Sequence, residues 1–155
     1  MDDIIKLLNL KDENVEILDT KVDGNIKTVI LQKKLVEHYC QFCGFKMHSR
    51  GIVSRIVKHP VLQDGYKLLI EIKQRRWRCT NEACRFDISD DFSFVDKGKR
   101  TTNATELMIV NSFRDLSKSA AEIAREHNVS NRYALDVFEK YVDMRRYPLS
   151  EIISV

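Results

Sequence analysis

The chain has 155 residues, 43% hydrophobic and 32% charged, with five Gly, two Pro, four Cys and a formal net charge of +3. That length suits one ordinary domain or two small ones and is short for most large catalytic folds, while the unexceptional apolar content and charge argue against a disordered chain. No stretch approaches the ~18 consecutive apolar residues of a membrane helix, and Met1-Asp2-Asp3 is acidic where a signal peptide is basic, so a soluble cytoplasmic protein is expected.

Ile4 to Leu10 has the apolar spacing of a short helix that packs on the strands after it. Val15 to Val22 and Ile26 to Lys33 are β-favouring runs around Asp23-Gly24-Asn25, a strong hairpin signal. Beyond a first cysteine pair, Ile52 to Lys58 and Tyr66 to Arg78 read as two more strands, joined by a turn from Pro60 to Asp64-Gly65. In the longer strand Leu68, Ile70 and Ile72 share one face, and Lys67, Glu71, Lys73 and Arg75 share the other. After residue 100 the period becomes helical, and helices are predicted over Asn103 to Arg114, Ala120 to His127 and Asn131 to Arg145. Their inward candidates are Leu107, Val110 and Phe113, then Ala120, Ile123 and Ala124, then Ala134, Leu135, Val137, Phe138 and Tyr141. Ser119 with Glu122 forms a capping box for the middle helix, and Ser130 is the N-cap of the third.

Cys40-Gln41-Phe42-Cys43-Gly44 is the strongest local motif. Two residues between thiolates, followed by Gly in a left-handed backbone, let a turn aim both sulfurs at one ion. A second pair, Cys79 and Cys84, has four residues between. In a reducing compartment such pairs point to metal before disulfide, and four thiolates suit one closed, structural Zn²⁺ site with no open position for catalysis. The 35 residues between Cys43 and Cys79 exceed the ~15–20 of compact zinc patterns, and the predicted second hairpin, leaving one pair and returning to the other, accounts for them. His38, His48 and His59 are spare ligand types nearby, and a His replacing one Cys, an iron centre or a redox-active pair are the alternatives.

Charge is unevenly spread. Residues 1–37 carry six Lys/Arg against eight Asp/Glu, residues 38–100 thirteen against seven, and residues 101–155 seven against eight. The middle is therefore a +6 segment, suited to a polyanion whose neutralised phosphates release counterions. Its candidate DNA contacts are Arg50, Arg55, Lys73, Arg75, Arg76 and Arg78, with Lys97, Lys99 and Arg100 in the polar segment after the second cysteine pair. Ser119 to Tyr141 also fits a helix-turn-helix mask: Ile123 and Ala124 at the crossing, Asn128-Val129-Ser130 as the turn, Ala134 and Val137 facing inward. His127 stands at a position that is usually apolar. A third helix reading a major groove would present Ser130, Asn131, Arg132 and Tyr133 to bases or phosphates. The bland counterpart is a plain three-helix bundle.

The fold class expected is α+β, a small β-rich zinc-binding module of hairpins stapled by four cysteines, then a three-helix helix-turn-helix domain. Residues 1–37 are an N-terminal helix and hairpin packing on the zinc module, 38–95 the zinc finger, 96–102 a linker and 103–147 the helical domain.

The ordered combination of Cys-x-x-Cys-Gly, a basic hairpin, Arg75-Arg76-Trp77-Arg78-Cys79, the second Cys pair, a Lys-Gly-Lys-Arg-Thr-Thr linker and the helix-turn-helix mask resembles the N-terminal region of bacterial insertion-sequence transposases of the ISL-three family. The resemblance implies a zinc finger and helix-turn-helix that together recognise terminal inverted repeats, with Cys40, Cys43, Cys79 and Cys84 as ligands of one Zn²⁺ and a nucleoid-associated location. It implies double-stranded DNA as partner, with a homodimer left open and no membrane or small-molecule substrate. Family members continue into an RNase-H-like domain with an acidic triad for two-metal strand transfer. Residues 148–155 look like the start of its first strand, and no carboxylate set here replaces the triad, so the chain is expected to bind DNA without cutting it. The alternatives are a stand-alone helix-turn-helix regulator, a zinc-ribbon module that binds a protein partner, and a thiol redox enzyme using Cys40 and Cys43; the last lacks a thioredoxin-type setting.

Overall fold

The computed structural model describes residues 2–12, 14–60 and 65–142. The chain is α+β, built on a five-stranded mixed sheet, and it divides into two compact units, Met1–Leu107 and Met108–Val155.

In the first unit, the β-branched runs on either side of Gly24 pair antiparallel as β1 (Val15–Asp23) and β2 (Ile26–Lys33), and Gly24 turns the chain at φ +54°. β3 (Met47–Lys58) and β4 (Lys67–Cys79) form a second, longer antiparallel pair. The two hairpins were expected as separate pieces that pack together; β2 instead runs parallel to β4 and makes them one sheet, in the order β1-β2-β4-β3. β3 covers one edge of β4 along its length. The other edge is shared, with β2 alongside Lys67–Lys73 and a short strand, β5 (Asp87–Ser89), alongside Arg76–Arg78.

The apolar alternation of β4 sets where its core lies. Leu68, Ile70 and Ile72 are buried with Val15, Ile17, Val29, Leu31 and Val57 beneath α1 (Asp2–Leu7), Leu10, Phe92, Phe94 and Val95. A fully buried aliphatic side chain of this kind contributes roughly 1.5–3 kcal/mol. Past Ile72 the same face carries Gln74, Arg76 and Arg78, and burial passes to Trp77 and Cys79 on the opposite face. One strand thus supports two cores, an aliphatic one at its start and a sulfur-aromatic one at its end.

β3 begins five residues before the predicted Ile52. Met47 to Gly51 lacks apolar alternation, but backbone pairing with β4 carries through it, relieved by a bulge between Ser49 and Gly51, where Gly51 takes φ +140°. β5 was not predicted, because three residues leave no period to detect. Residues 96–102 have the polar composition of a linker, yet their end is fastened to the end of β3: Lys58 N–H donates to Arg100 O and Thr102 N–H to Lys58 O, both at 2.9 Å, with Thr101 and Thr102 buried.

α2 (Asn103–Ser112) spans the boundary between the units. Its expected inward residue Leu107 is 55% exposed, because Thr105, Glu106 and Ile109 take the buried face and two of these are polar. In the second unit, α3 (Ala120–Glu126) and α4 (Asn131–Tyr141) close over Ile109, Ile123, Ala124, Ala134 and Val137, with Val110, Phe113, Val129 and Tyr133 at the margin. Leu135 and Tyr141, expected to face inward, are exposed, since the inner stripe of α4 runs through Ala134 and Val137, flanked by Tyr133 and by Phe138, which packs on Phe113 at 4.7 Å. Ser119 and Glu122 make the predicted capping box, Ser130 accepts from Tyr133 N–H, and Asn128 supplies the left-handed turn at φ +55°. The end of the predicted third helix beyond Val142, part of the turn before Gly65 and the strand expected over 148–155 lie outside the described residues. No helix among the described residues is long and apolar enough to cross a membrane.

Candidate metal centre

Two backbone turns of the same design present the four cysteines. In the first, Cys40 N–H donates to Phe45 O at 2.8 Å, and Gly44, just after Cys43, is left-handed at φ +73°. In the second, Cys79 N–H donates to Phe86 O at 2.8 Å, and Arg85, just after Cys84, is left-handed at φ +49°. Gly adopts this conformation freely, whereas for other residues it costs ~1–2 kcal/mol. The two halves correspond at their ends, with Arg85 where the first has Gly44, while the second has a longer span between its cysteines. That correspondence was missed at the sequence level because Arg does not announce a positive φ.

The turns meet at the ends of β3 and β4. Cys40 Sγ lies 3.7 Å from Cys84 Sγ, Cys43 Sγ lies 3.3 Å from Cys79 Sγ, and all four sulfurs fall within 4.8 Å of one another. A tetrahedral thiolate site with metal–sulfur bonds of ~2.3 Å has its sulfurs about 3.8 Å apart, so the donor set fits a four-coordinate ion. Cys40 and Cys79 are buried with Met47 and Trp77, and Phe42 meets Phe86 edge-on at 4.7 Å.

The crowding of the four thiols sets their acidities apart. Burial pushes the Cys40 thiol up, but the Phe42 and Cys43 amides and the Cys43 and Cys84 thiols outweigh it and bring the thiol down to about 7. Burial, reinforced by neighbouring thiols and the Cys40 charge, pushes Cys79 up to about 12 against the opposing Asn81 amide. One thiolate is stabilised by backbone donors and its neighbour resists ionising beside it. A bound divalent ion removes that conflict, and the four cysteines can hold one.

None of the three spare histidines joins the cluster. His38 packs on Trp77 with ring centroids 4.4 Å apart, and His48 is exposed on β3 opposite Arg78. His59 is buried elsewhere: Nε2–H donates to Leu8 O at 3.1 Å, so Nδ1 accepts from the Thr102 hydroxyl at 3.0 Å. His127 is likewise a buried hydrogen-bonding residue, 2.7 Å from the Ser112 hydroxyl.

The basic side chains scatter over several settings. Arg78 makes two 2.8 Å hydrogen bonds to Asp87, and Arg50, on the β3 bulge, lies 3.4 Å from the same carboxylate. Lys73 is 2.8 Å from Glu71, and Arg75 sits over the Trp77 ring at 5.6 Å. Arg55, Arg76 and Lys97 line a groove, Lys99 lies 3.7 Å from buried Glu106, and Arg100 is exposed. At the start of α4, Ser130 and Asn131 are exposed and Arg132 pairs with Asp136 at 2.9 Å, while Tyr133 packs at the margin of the helical core. Two acids were overlooked: Asp87, and Asp90, whose buried carboxylate accepts from Trp77 Nε1–H at 2.7 Å. Their places opposite Arg78 and Trp77 depend on β5, which gave no signal. Compared with protein-family models, curated proteins and solved structures, the chain matches none.

Proposed function

We propose that the chain is the zinc-dependent DNA-binding region of a transposase, recognising the terminal inverted repeats of an insertion sequence and carrying no strand-transfer chemistry of its own. The observation that carries this reading is the convergence of four sulfurs at the root of the β3–β4 pair, the strands where basic residues are densest. Thiolate ligands and a closed tetrahedral set favour Zn²⁺. The ion ties the ends of two long strands whose basic side chains include exposed Arg50 and Arg76 and half-buried Arg55.

The second unit supports a helix-turn-helix reading: α3 with its capping box, a turn at left-handed Asn128, and α4 presenting Ser130, Asn131 and Arg132 at an exposed, capped N-terminus. Tyr133, which is partly buried, serves packing before recognition. The test measures metal content and affinity on one sample, using a terminal-repeat duplex and a scrambled duplex. One zinc per chain with preference for the repeat supports the reading; equal affinity for both duplexes removes repeat recognition, and absent binding removes DNA altogether.

One observation favours a second reading, a zinc-ribbon module for a protein partner. Ile52, Val53 and Ile56 on β3 are 51%, 40% and 55% exposed on an edge strand, a form of surface that recruits another strand. Under that reading an acidic protein binds and DNA does not compete with it.

A further inference from the structure

Ion pairing in the first unit separates the basic side chains into two sets. Arg78 and Arg50 share Asp87, Lys73 is held by Glu71 and hydrogen-bonded to Ser54 at 2.9 Å, and Lys99 faces Glu106. A phosphate reaching any of these must displace or share a carboxylate already in place. Arg55, Arg76 and Lys97 differ: among the described residues no carboxylate pairs with any of them. All three line one groove of about 740 Å³, together with Gln74.

This groove exists because β4 changes its buried face. Gln74 and Arg76 continue the face that buries Ile70 and Ile72, and β3 register places Arg55 directly opposite Ile72. Arg55 and Arg76 therefore stand at the end of the aliphatic core, on the sheet, and Lys97 joins them from the turn after Asp96. Arg55 is steadied further by a 3.2 Å hydrogen bond from Nη1 to Lys99 O, and Gln74 is tied to the Asp90 carbonyl. An arginine held in this way loses little freedom on meeting an anion.

We infer that this groove seats the DNA phosphate backbone, with Arg55, Arg76 and Lys97 as the phosphate contacts and Arg78 and Lys73 as structural cations. The inference rests on the DNA-binding reading and assigns that activity to particular side chains. An unpaired cation releases phosphate counterions when it binds, each neutralised phosphate adding about 0.9 to the slope of log affinity against log salt. A cation that keeps its carboxylate adds nothing. The groove is also lined by Arg50, Asp87, Asp90 and Asp91. Asp87 is occupied by Arg78 and Arg50 and Asp90 by Trp77, whereas the fully exposed Asp91 pairs, among the described residues, with Lys33 alone at 3.8 Å and opposes an incoming phosphate.

The experiment is fluorescence anisotropy of the metal-loaded chain with a short random-sequence DNA duplex across a salt series, with circular dichroism to confirm that each variant is folded. Arg76→Ala and Lys97→Ala are each expected to weaken binding and flatten the salt slope by about one unit. Lys73→Ala, on the other sheet face, keeps the wild-type slope, and Asp91→Asn tightens binding. Wild-type binding whose slope is unchanged in Arg76→Ala and Lys97→Ala overturns the groove assignment while leaving the DNA-binding reading intact. Absence of salt-dependent duplex binding by the wild type overturns both, and preference for single-stranded RNA or an acidic protein overturns the DNA assignment of the groove.

Discussion

At the scale of single residues, backbone conformation and burial decide more than charge does. Gly44 holds a left-handed conformation with open space around its Cβ position, so Gly44→Ala meets no clash and carries only the conformational cost. The expected loss is about 1–2 kcal/mol of unfolding free energy, measured by denaturant titration of the metal-loaded protein. His59 gives a prediction in pH. Burial lowers its pKa below the ordinary 6.5, only partly offset by its hydrogen bond to the Leu8 carbonyl. A depressed folded-state value means that the unfolded chain takes up the proton first as pH falls. The stability that neutral His59 contributes is complete above pH about 6.5 and is lost as acidification proceeds through the lower folded value. Unfolding free energy should therefore fall between pH 7 and 5 more steeply in the wild type than in His59→Gln, and identical slopes would refute this account of the site.

At the scale of elements, β4 is the organising strand. Ile70→Ala removes a fully buried side chain where β2, β3 and β4 meet, and should destabilise the first unit by about 2–5 kcal/mol. In the second unit, Ser130→Ala removes the α4 cap, and about 1 kcal/mol is expected to be lost in thermal or denaturant unfolding. The elements also show what was legible in the sequence. Strong periodicity and cap residues located β1, β2, α3 and α4 to within a residue or two where the structure describes them, because those signals are local. The parallel pairing of β2 with β4 left no local trace, since it depends on residues far apart in the chain. β5 and the early start of β3 were equally silent, being held by pairing to β4 rather than by their own propensity. On α2, polar Thr105 and Glu106 occupy buried positions that an apolar pattern assigns elsewhere, which is why Leu107 was misplaced.

At the scale of the whole molecule, the four cysteines were legible as a set, from two close pairs bracketing a hairpin, and the structure brings their sulfurs together. The candidate contacts around them were less so. Composition located the basic segment, but which cations are free depends on Asp87, Glu71 and Glu106, whose positions come from tertiary pairing. The candidate metal centre and the basic strands are joined through β3 and β4, so under the proposed function a bound metal should govern binding as well as folding. Cys43→Ser should lose most of the bound metal and, with it, the thermal stability of the first unit. The most direct test measures duplex affinity as zinc is withdrawn by a chelator and then restored, with zinc per chain and circular dichroism followed on the same sample. Binding and β-structure that are lost together near one zinc per chain, and recovered together on its return, are the predicted result. A zinc-free protein that keeps both its fold and its salt-dependent affinity for DNA would contradict the account.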